Sequence, residues 1–452
     1  MLWCEWCRFP AEVWNHLRLT PALALLRGID VYPTAAAGII NTWTYGPLPL
    51  LALSPAALGG SPLGALTLGG LGNFGWTVAA ILWVCRRWPV EQRTRNPWSI
   101  TLIAAALSIA LFPEAAWRVI YADNTAVALG MVANLLLLRG PKSSQRWWAA
   151  LAAMAPLACK QTGLGVVVAQ LIWLGVSEGR KVWLTQLGRC IAAGAILGLA
   201  GIAWFGFPGL WFILIDLPRG FLAVDDPWSR MAVFAAPLSL HLGLPLITIA
   251  VLGRRAWQSG SPLLLLSLTW LASVPLGIMG FFQMGGGINS LQAFELWLPG
   301  MAVWGLTHAH RRRPRLVLPL SGLVAGVLAL VRIASIPSPS LQPQFASVAT
   351  ATAIAESLPG QVWFPLNPLV TLYADGRLYH DEDGLYVRAA AGQPATWDQL
   401  PAHLPPQWSG VVMRTGALSW GVAENLIPEA AVAYEVDGWT VWRWPAGSPV
   451  TP

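Results

Sequence analysis

The chain has 452 residues, 55% apolar and only 11% charged, with a mean hydropathy of +0.55. Soluble domains carry about 25% charged and about 45–50% apolar residues, so a cytosolic globular protein is excluded, as are collagen-like, disordered and coiled-coil chains. The net charge of +7 hides a split: residues 1–340 hold 24 Lys/Arg against 11 Asp/Glu, and residues 341–452 hold 4 against 10.

Basic residues placed between apolar runs set membrane topology, so the charge calls for no nucleic-acid partner. The acidic tail reads as a separate, water-facing unit. Five cysteines are too few and too scattered for a disulfide framework. Cys4 and Cys7 form one Cys-x-x-Cys pair with no second pair to complete a metal site.

In chain order, Val31–Leu58 is broken by Pro33, Pro47, Pro49 and Pro55, and proline disrupts helix interiors. Its Tyr45–Leu51 stretch reads as a short helix lying along the outer surface. Ten apolar segments follow: Leu63–Cys85, Ser99–Leu111, Thr125–Leu138, Trp147–Cys159, Thr162–Ser177, Cys190–Phe207, Met231–Leu252, Pro262–Phe282, Leu296–Ala309 and Leu316–Ile333. A membrane span needs about 20 such residues, so the shorter segments are expected to extend into their flanks. Trp147–Ser177 is read as two helices meeting at Cys159–Gly163. One crossing there would leave both flanks positive, against the charge rule.

Basic clusters follow every second segment: Arg86, Arg87, Arg93 and Arg95; Arg139, Lys142 and Arg146; Arg180, Lys181 and Arg189; Arg254 and Arg255; Arg311, Arg312, Arg313 and Arg315. The opposite loops beyond Leu63 hold only Arg118, Lys160, Arg219 and Arg230. The excess sits on cytoplasmic loops, so both termini are expected outside. Most acidic residues of the membrane part also fall on the outer side. The 27 tryptophans suit an interface-rich protein, because indole rings settle at headgroup level.

The spans give way to a Pro/Ser linker at Pro337–Ser340 and a helix-like Phe345–Leu358. Val362–Phe364, Val411–Met413, Val432–Val436 and Trp439–Trp442 are short strand candidates, with Asp437-Gly438 as a two-residue hairpin turn. The expected fold is therefore an α-helical multi-pass membrane protein of about ten spans with a small carboxy-terminal α/β domain. Residues 1–62 form the first outer loop and surface helix, 63–335 the spans, and 336–452 the extracytoplasmic domain.

Five stretches, in order, carry a resemblance: Leu-Leu-Arg-Gly-Ile-Asp-Val-Tyr-Pro at 25–33, Tyr-Gly-Pro-Leu-Pro-Leu-Leu at 45–51, Tyr-Ala-Asp-Asn-Thr-Ala-Val-Ala-Leu-Gly at 121–130, Cys-Lys-Gln-Thr-Gly-Leu at 159–164, and Gly-Gly-Gly-Ile-Asn-Ser-Leu at 285–291. The chain resembles bacterial membrane glycosyltransferases of the GT-C superfamily, relatives of the protein O-mannosyltransferases and the lipid A aminoarabinose transferase, over about residues 12–335. The resemblance implies an inner-membrane enzyme with an α-helical GT-C-like fold. It would transfer a sugar, with inversion, from a polyprenyl-phosphate carrier to a glycan, lipid or protein acceptor at the outer face.

Such a reaction needs a carboxylate to take the acceptor's proton and cations to stabilise the departing phosphate. The family carries a lysine in a motif like that of Lys160, which implies donor-phosphate contact for Lys160 and Gln161. Arg118 and Arg219 are further outer-side cations suited to phosphate. The family's acidic pair in the first outer loop is absent. Glu12 is the nearest carboxylate to that position, and Asp30 is the fallback for the catalytic base.

Tyr45, Asp123, Asp225, Asp226 and Asn289 are candidates for sugar or acceptor contact. Glu295 joins them because an ionisable residue near a span is a functional hypothesis by default. The loop carboxylates leave a divalent cation, Mg or Mn, open as a cofactor. Asn73, Asn134, Gln170 and His241 are expected to bond neighbouring helices instead. The family also begins with a helix crossing to the outer side, whereas Met1–Pro10 cannot span about 30 Å. This departure implies a truncated amino terminus or a misplaced start. The alternatives are a transporter or flippase for a lipid-linked sugar, and an inactive relative. Transporters tend to pair broken helices in two repeated halves, and only one break, at Lys160, is visible.

Overall fold

The computed structural model describes residues 12–89, 97–112, 119–140, 143–221, 226–283, 286–335, 341–396, 398–416 and 419–445. Cys4, Cys7, Arg118 and Asp225 lie outside the described residues. The chain is mostly helical, and the ten apolar segments fall largely on helices, although Trp147–Cys159 outruns its helix at Met154 and Met231–Leu252 is divided between two. Among the described residues, four helices are long and apolar enough to cross a membrane, by length and composition: Pro62–Arg87, Arg180–Phe205, Leu238–Trp257 and Pro262–Phe282. Pro97–Leu111, Gln161–Ser177 and Arg315–Val331 are shorter apolar helices.

Local chemistry sets the helix ends. Ser61 accepts a hydrogen bond from the Gly64 amide at 3.1 Å and Pro62 opens the first turn, while Arg86 and Arg87 close the last one. A hydroxyl cap, an early proline and a basic last turn are the signals of one complete helix. The expected break before Ser177 is present: one helix spans Ser143–Met154, a 3-10 turn covers Gln161–Gly163, and the next helix spans Leu164–Ser177. Pro156 explains the stop, since it has no amide to donate and disfavours helical geometry at Ala155. Lys160 is left in extended backbone between the two helices. The short helix expected in Tyr45–Leu51 begins at Leu48, later than expected, and runs to Leu53 before a 3-10 turn at Ser54–Gly59.

Polar side chains within the bundle join helices, as read from the sequence. Asn134 donates to Thr269 Oγ1 at 3.0 Å and Gln170 donates to Asn134 Oδ1 at 3.2 Å, linking three helices. Asn73 donates to the Val119 carbonyl at 3.3 Å. His241 pairs with Glu295, both buried.

The carboxy-terminal segment holds a four-stranded sheet in the order β1-β2-β4-β3, with β1 Val362–Trp363, β2 Gly410–Arg414, β3 Val432–Val436 and β4 Trp439–Arg443. β1 and β2 are parallel, and the other pairs are antiparallel. Asp437 and Gly438 both take positive φ, 46° and 80°, as the two-residue hairpin requires. The expected helix runs from Leu341 to Ser357.

This segment is more tightly joined to the rest of the chain than a separate unit would be. Leu369, Leu372 and Leu378 share a core with Leu19, Tyr32 and Trp43. The Ile40 amide donates to His380 Nδ1 at 2.8 Å, the Asp381 amide donates to the Ile40 carbonyl at 3.0 Å, and Arg388 donates to the Ala35 carbonyl at 2.7 Å.

Candidate active site

The amino-terminal helix Val13–Leu26 places Trp14 and Arg18 four residues apart, hence on one face. The Arg18 guanidinium lies 4.8 Å from the Trp14 ring centre and 4.2 Å from that of Tyr121, and its Nη1 donates to the Ile120 carbonyl at 3.1 Å. From the same helix, Asn15 Oδ1 accepts from the Ile120 amide at 2.7 Å. Two side chains thus tie this helix to the start of the helix Ala122–Arg139, which carries Asp123 in its first turn.

Asp123 is buried and fully engaged. Lys160 Nζ donates to its two oxygens at 2.8 and 3.0 Å, and Asn289 donates to Oδ2 at 3.1 Å. The Lys160 side chain is 12% exposed, and its ammonium lies 5.4 Å from the Tyr45 ring centre. Tyr45 is held there by its neighbour: the Gly46 amide donates to the Cys159 carbonyl at 2.9 Å. A Cβ at Gly46 would fall 1.8 Å from the Ala158 oxygen, so only glycine permits this approach.

These groups surround a cavity of about 400 Å³. Arg18, Tyr45, Lys160, Gln161, Arg219 and Asn289 form part of its wall, and Asp383 of the carboxy-terminal segment closes another side. Lys160 and Gln161, with Leu214 and Ile215, also line a second space of about 270 Å³. That space is apolar and runs along Gly194, Leu197, Gly198 and Gly201 of the helix Arg180–Phe205. Lys160 therefore stands between a cavity that carries charged and polar side chains and an apolar groove.

Of the residues singled out from sequence, Tyr45, Asp123, Lys160, Gln161, Arg219 and Asn289 come together. Glu12 sits at the amino-terminal boundary of its helix without capping it, and it is not part of the cavity wall. Asp30 is not in the wall either; its Oδ1 accepts from the Tyr32 amide at 2.9 Å. Asp226 caps the helix Pro227–Val233 through the Trp228 and Ser229 amides. Glu295 has His241 as its partner, away from the wall.

Among the described residues, no three His, Cys, Asp or Glu side chains gather as a metal site. An ammonium and an amide donor around Asp123 do not suit a divalent cation, which seeks several oxygen ligands.

Sequence reasoning missed Arg18 and Asp383. The four-residue spacing of Trp14 and Arg18 was an available signal. Asp383 lies 223 positions after Lys160, and only tertiary packing brings it to the cavity. Asp383 is 6% exposed and accepts a hydrogen bond from the Thr42 hydroxyl. Burial raises its pKa to about 6, while the Thr42 bond and the Arg18 charge pull it down. The adjacent Asp381, which accepts from the amides of Thr42 at 2.9 Å and Gly384 at 2.6 Å, is also raised well above the usual range by burial.

No family model and no curated protein matches the sequence. Among solved structures, the chain is similar to ArnT from Cupriavidus metallidurans, a GT-C glycosyltransferase. The likeness holds for its undecaprenyl-phosphate-bound form at TM-score 0.57 and 11% identity, and for its apo form at 0.56 and 12%. Each comparison covers 96% of this chain and 95% of that one. The chain has the GT-C fold. Coverage of both chains nearly end to end extends the likeness to ArnT through the carboxy-terminal segment that supplies Asp383.

Proposed function

We propose that the protein is a membrane glycosyltransferase that takes a sugar from a polyprenyl-phosphate donor at the outer face of a bacterial inner membrane. The observation that carries this reading is the position of Lys160, between a cavity that holds Arg18, Arg219, Asn289 and Asp383 and an apolar groove. A polyprenyl-phosphate sugar has the same division: a hydrocarbon chain, a phosphate, then a polar ring. The tail would follow the groove past Gly198, the phosphate would meet Lys160, and the sugar would occupy the cavity beside Tyr45 and Asn289. ArnT, similar in fold, has been seen with undecaprenyl phosphate bound, which supports a carrier of this class.

Lys160 has three N–H donors and Asp123 offers it two oxygens, so a donor remains for the phosphate. The buried ion pair fixes the ammonium before the ligand arrives, and a preorganised cation stabilises developing phosphate charge without reorganisation. Arg18 and Arg219 add positive charge to the same cavity.

The test is release of undecaprenyl phosphate from a panel of undecaprenyl-phosphate sugars, with the protein in nanodiscs. Removing Lys160 alone would leave Asp123 buried without its partner, at a cost of about 3–5 kcal/mol, so Lys160→Met is combined with Asp123→Asn. The double variant is expected to stay folded and lose at least 100-fold in kcat/KM. Wild-type turnover in the double variant, or no turnover of any donor by the wild-type protein, would contradict the reading.

A further inference from the structure

Transfer to an acceptor hydroxyl needs a proton acceptor, and the site supplies few. Among the described residues, the cavity wall contains one carboxylate, Asp383. Asp123 is spent on Lys160 and Asn289, which engage both of its oxygens. Asp30 is turned to its own backbone, and neither it nor Glu12 reaches the wall.

Asp383 is held by a built arrangement. It lies in the first turn of the helix Glu382–Ala390, whose start is capped by Asp381 through the Gly384 amide. A Cβ at Gly384 would come within 2.5 Å of the Asn41 carbonyl carbon, so glycine lets this turn press directly on the 39–45 loop. The contact brings the Thr42 hydroxyl onto Asp383 Oδ2. Oδ1 accepts no hydrogen bond from another described residue, and Asp383 shares the wall with Arg18, Tyr45 and Lys160.

We propose that Asp383 is the catalytic base of this site, supplied by the carboxy-terminal segment to the membrane-embedded part. The proposal rests on the donor-transfer reading above and assigns its proton. The acceptor oxygen forms a bond to the anomeric carbon as the bond from that carbon to the phosphate oxygen breaks. The electron pair of the broken bond leaves on the polyprenyl phosphate, near Lys160. The acceptor's proton passes to Asp383 and from there to water. The groups facing Asp383 are Arg18 on the amino-terminal helix, Thr42 on the 39–45 loop, Lys160 and Tyr45 in the wall, and Asp381 and Glu382 on its own turn. Burial with only one hydrogen bond leaves the carboxylate basic enough to serve, with a pKa of about 6.

The experiment compares wild type, Asp383→Asn and Asp383→Glu in nanodiscs by two measurements, affinity for undecaprenyl phosphate and the pH profile of donor turnover. The base assignment predicts that Asp383→Asn keeps its affinity within about threefold but loses at least 100-fold in kcat/KM. The wild-type kcat/KM is predicted to fall tenfold per pH unit below about 6, a limb that Asp383→Asn lacks and that Asp383→Glu shows displaced in pH and at a reduced rate. Turnover by Asp383→Asn near the wild-type level overturns the assignment. So does parallel loss of affinity and turnover, because Asp383 would then only position the ligand.

If Asp383→Asn does not fold, Asp383→Glu decides. A reduced rate with the acidic limb displaced in pH supports the base, and an unchanged profile removes it. Absence of undecaprenyl-phosphate binding by the wild type is a different failure, that of the donor reading itself.

Discussion

A base kept buried costs the fold stability, and Asp383 is where that cost falls. Its pKa of about 6 in the folded chain lies above the ordinary Asp value of about 3.9. Between those values the folded state binds more protons than the unfolded one, so this residue's contribution to stability falls as pH rises from about 4 to about 6. Two pH units correspond to roughly 2–3 kcal/mol. Asp383→Asn is therefore expected to raise the apparent melting temperature at pH 7.5 and to leave it nearly unchanged at pH 4. A lower melting temperature at pH 7.5 would show that the carboxylate supports the fold.

At the scale of single elements, small residues on one helix make room for the proposed lipid chain. Gly194, Gly198 and Gly201 of the helix Arg180–Phe205 line the apolar groove, and a Cβ at Gly198 would meet nothing within 4 Å. Gly198→Leu would fill the groove. It would also favour the helix by up to about 1 kcal/mol, since glycine is a poor helix former. The expected result is a KM for an undecaprenyl donor raised about tenfold, with kcat and the KM for a short-chain analogue unchanged. An unchanged KM for the long-chain donor would take the tail out of this groove.

These elements were largely legible in the sequence. Apolar runs bounded by Arg pairs marked helices such as Pro62–Arg87, and the positive flanks of Trp147–Ser177 forced the break that carries Lys160. The ends were less legible: the 45–51 stretch begins its helix only at Leu48, because Pro47 disfavours helical geometry at Gly46.

Across the whole molecule, the site is assembled from pieces remote in sequence. Arg18, Tyr45, Asp123, Lys160, Asn289 and Asp383 come from six separate segments. Local pattern picks out a lysine at a helix break, because the pattern there is physical: two positive flanks and a proline. It cannot pick out Asp383, whose role depends on the Ile40–His380 and Thr42–Asp381 hydrogen bonds that seat the acidic tail on the 39–45 loop. Charge asymmetry correctly separates the tail as an acidic segment, yet carries no information on how it docks.

The central claim is that Lys160 marks where a polyprenyl phosphate divides between groove and cavity. Cryo-electron microscopy of the full chain with undecaprenyl phosphate tests it most directly. The account predicts phosphate density within hydrogen-bonding distance of Lys160 Nζ and a polyprenyl chain leaving past Gly198. Phosphate density at any other place in the molecule would contradict it.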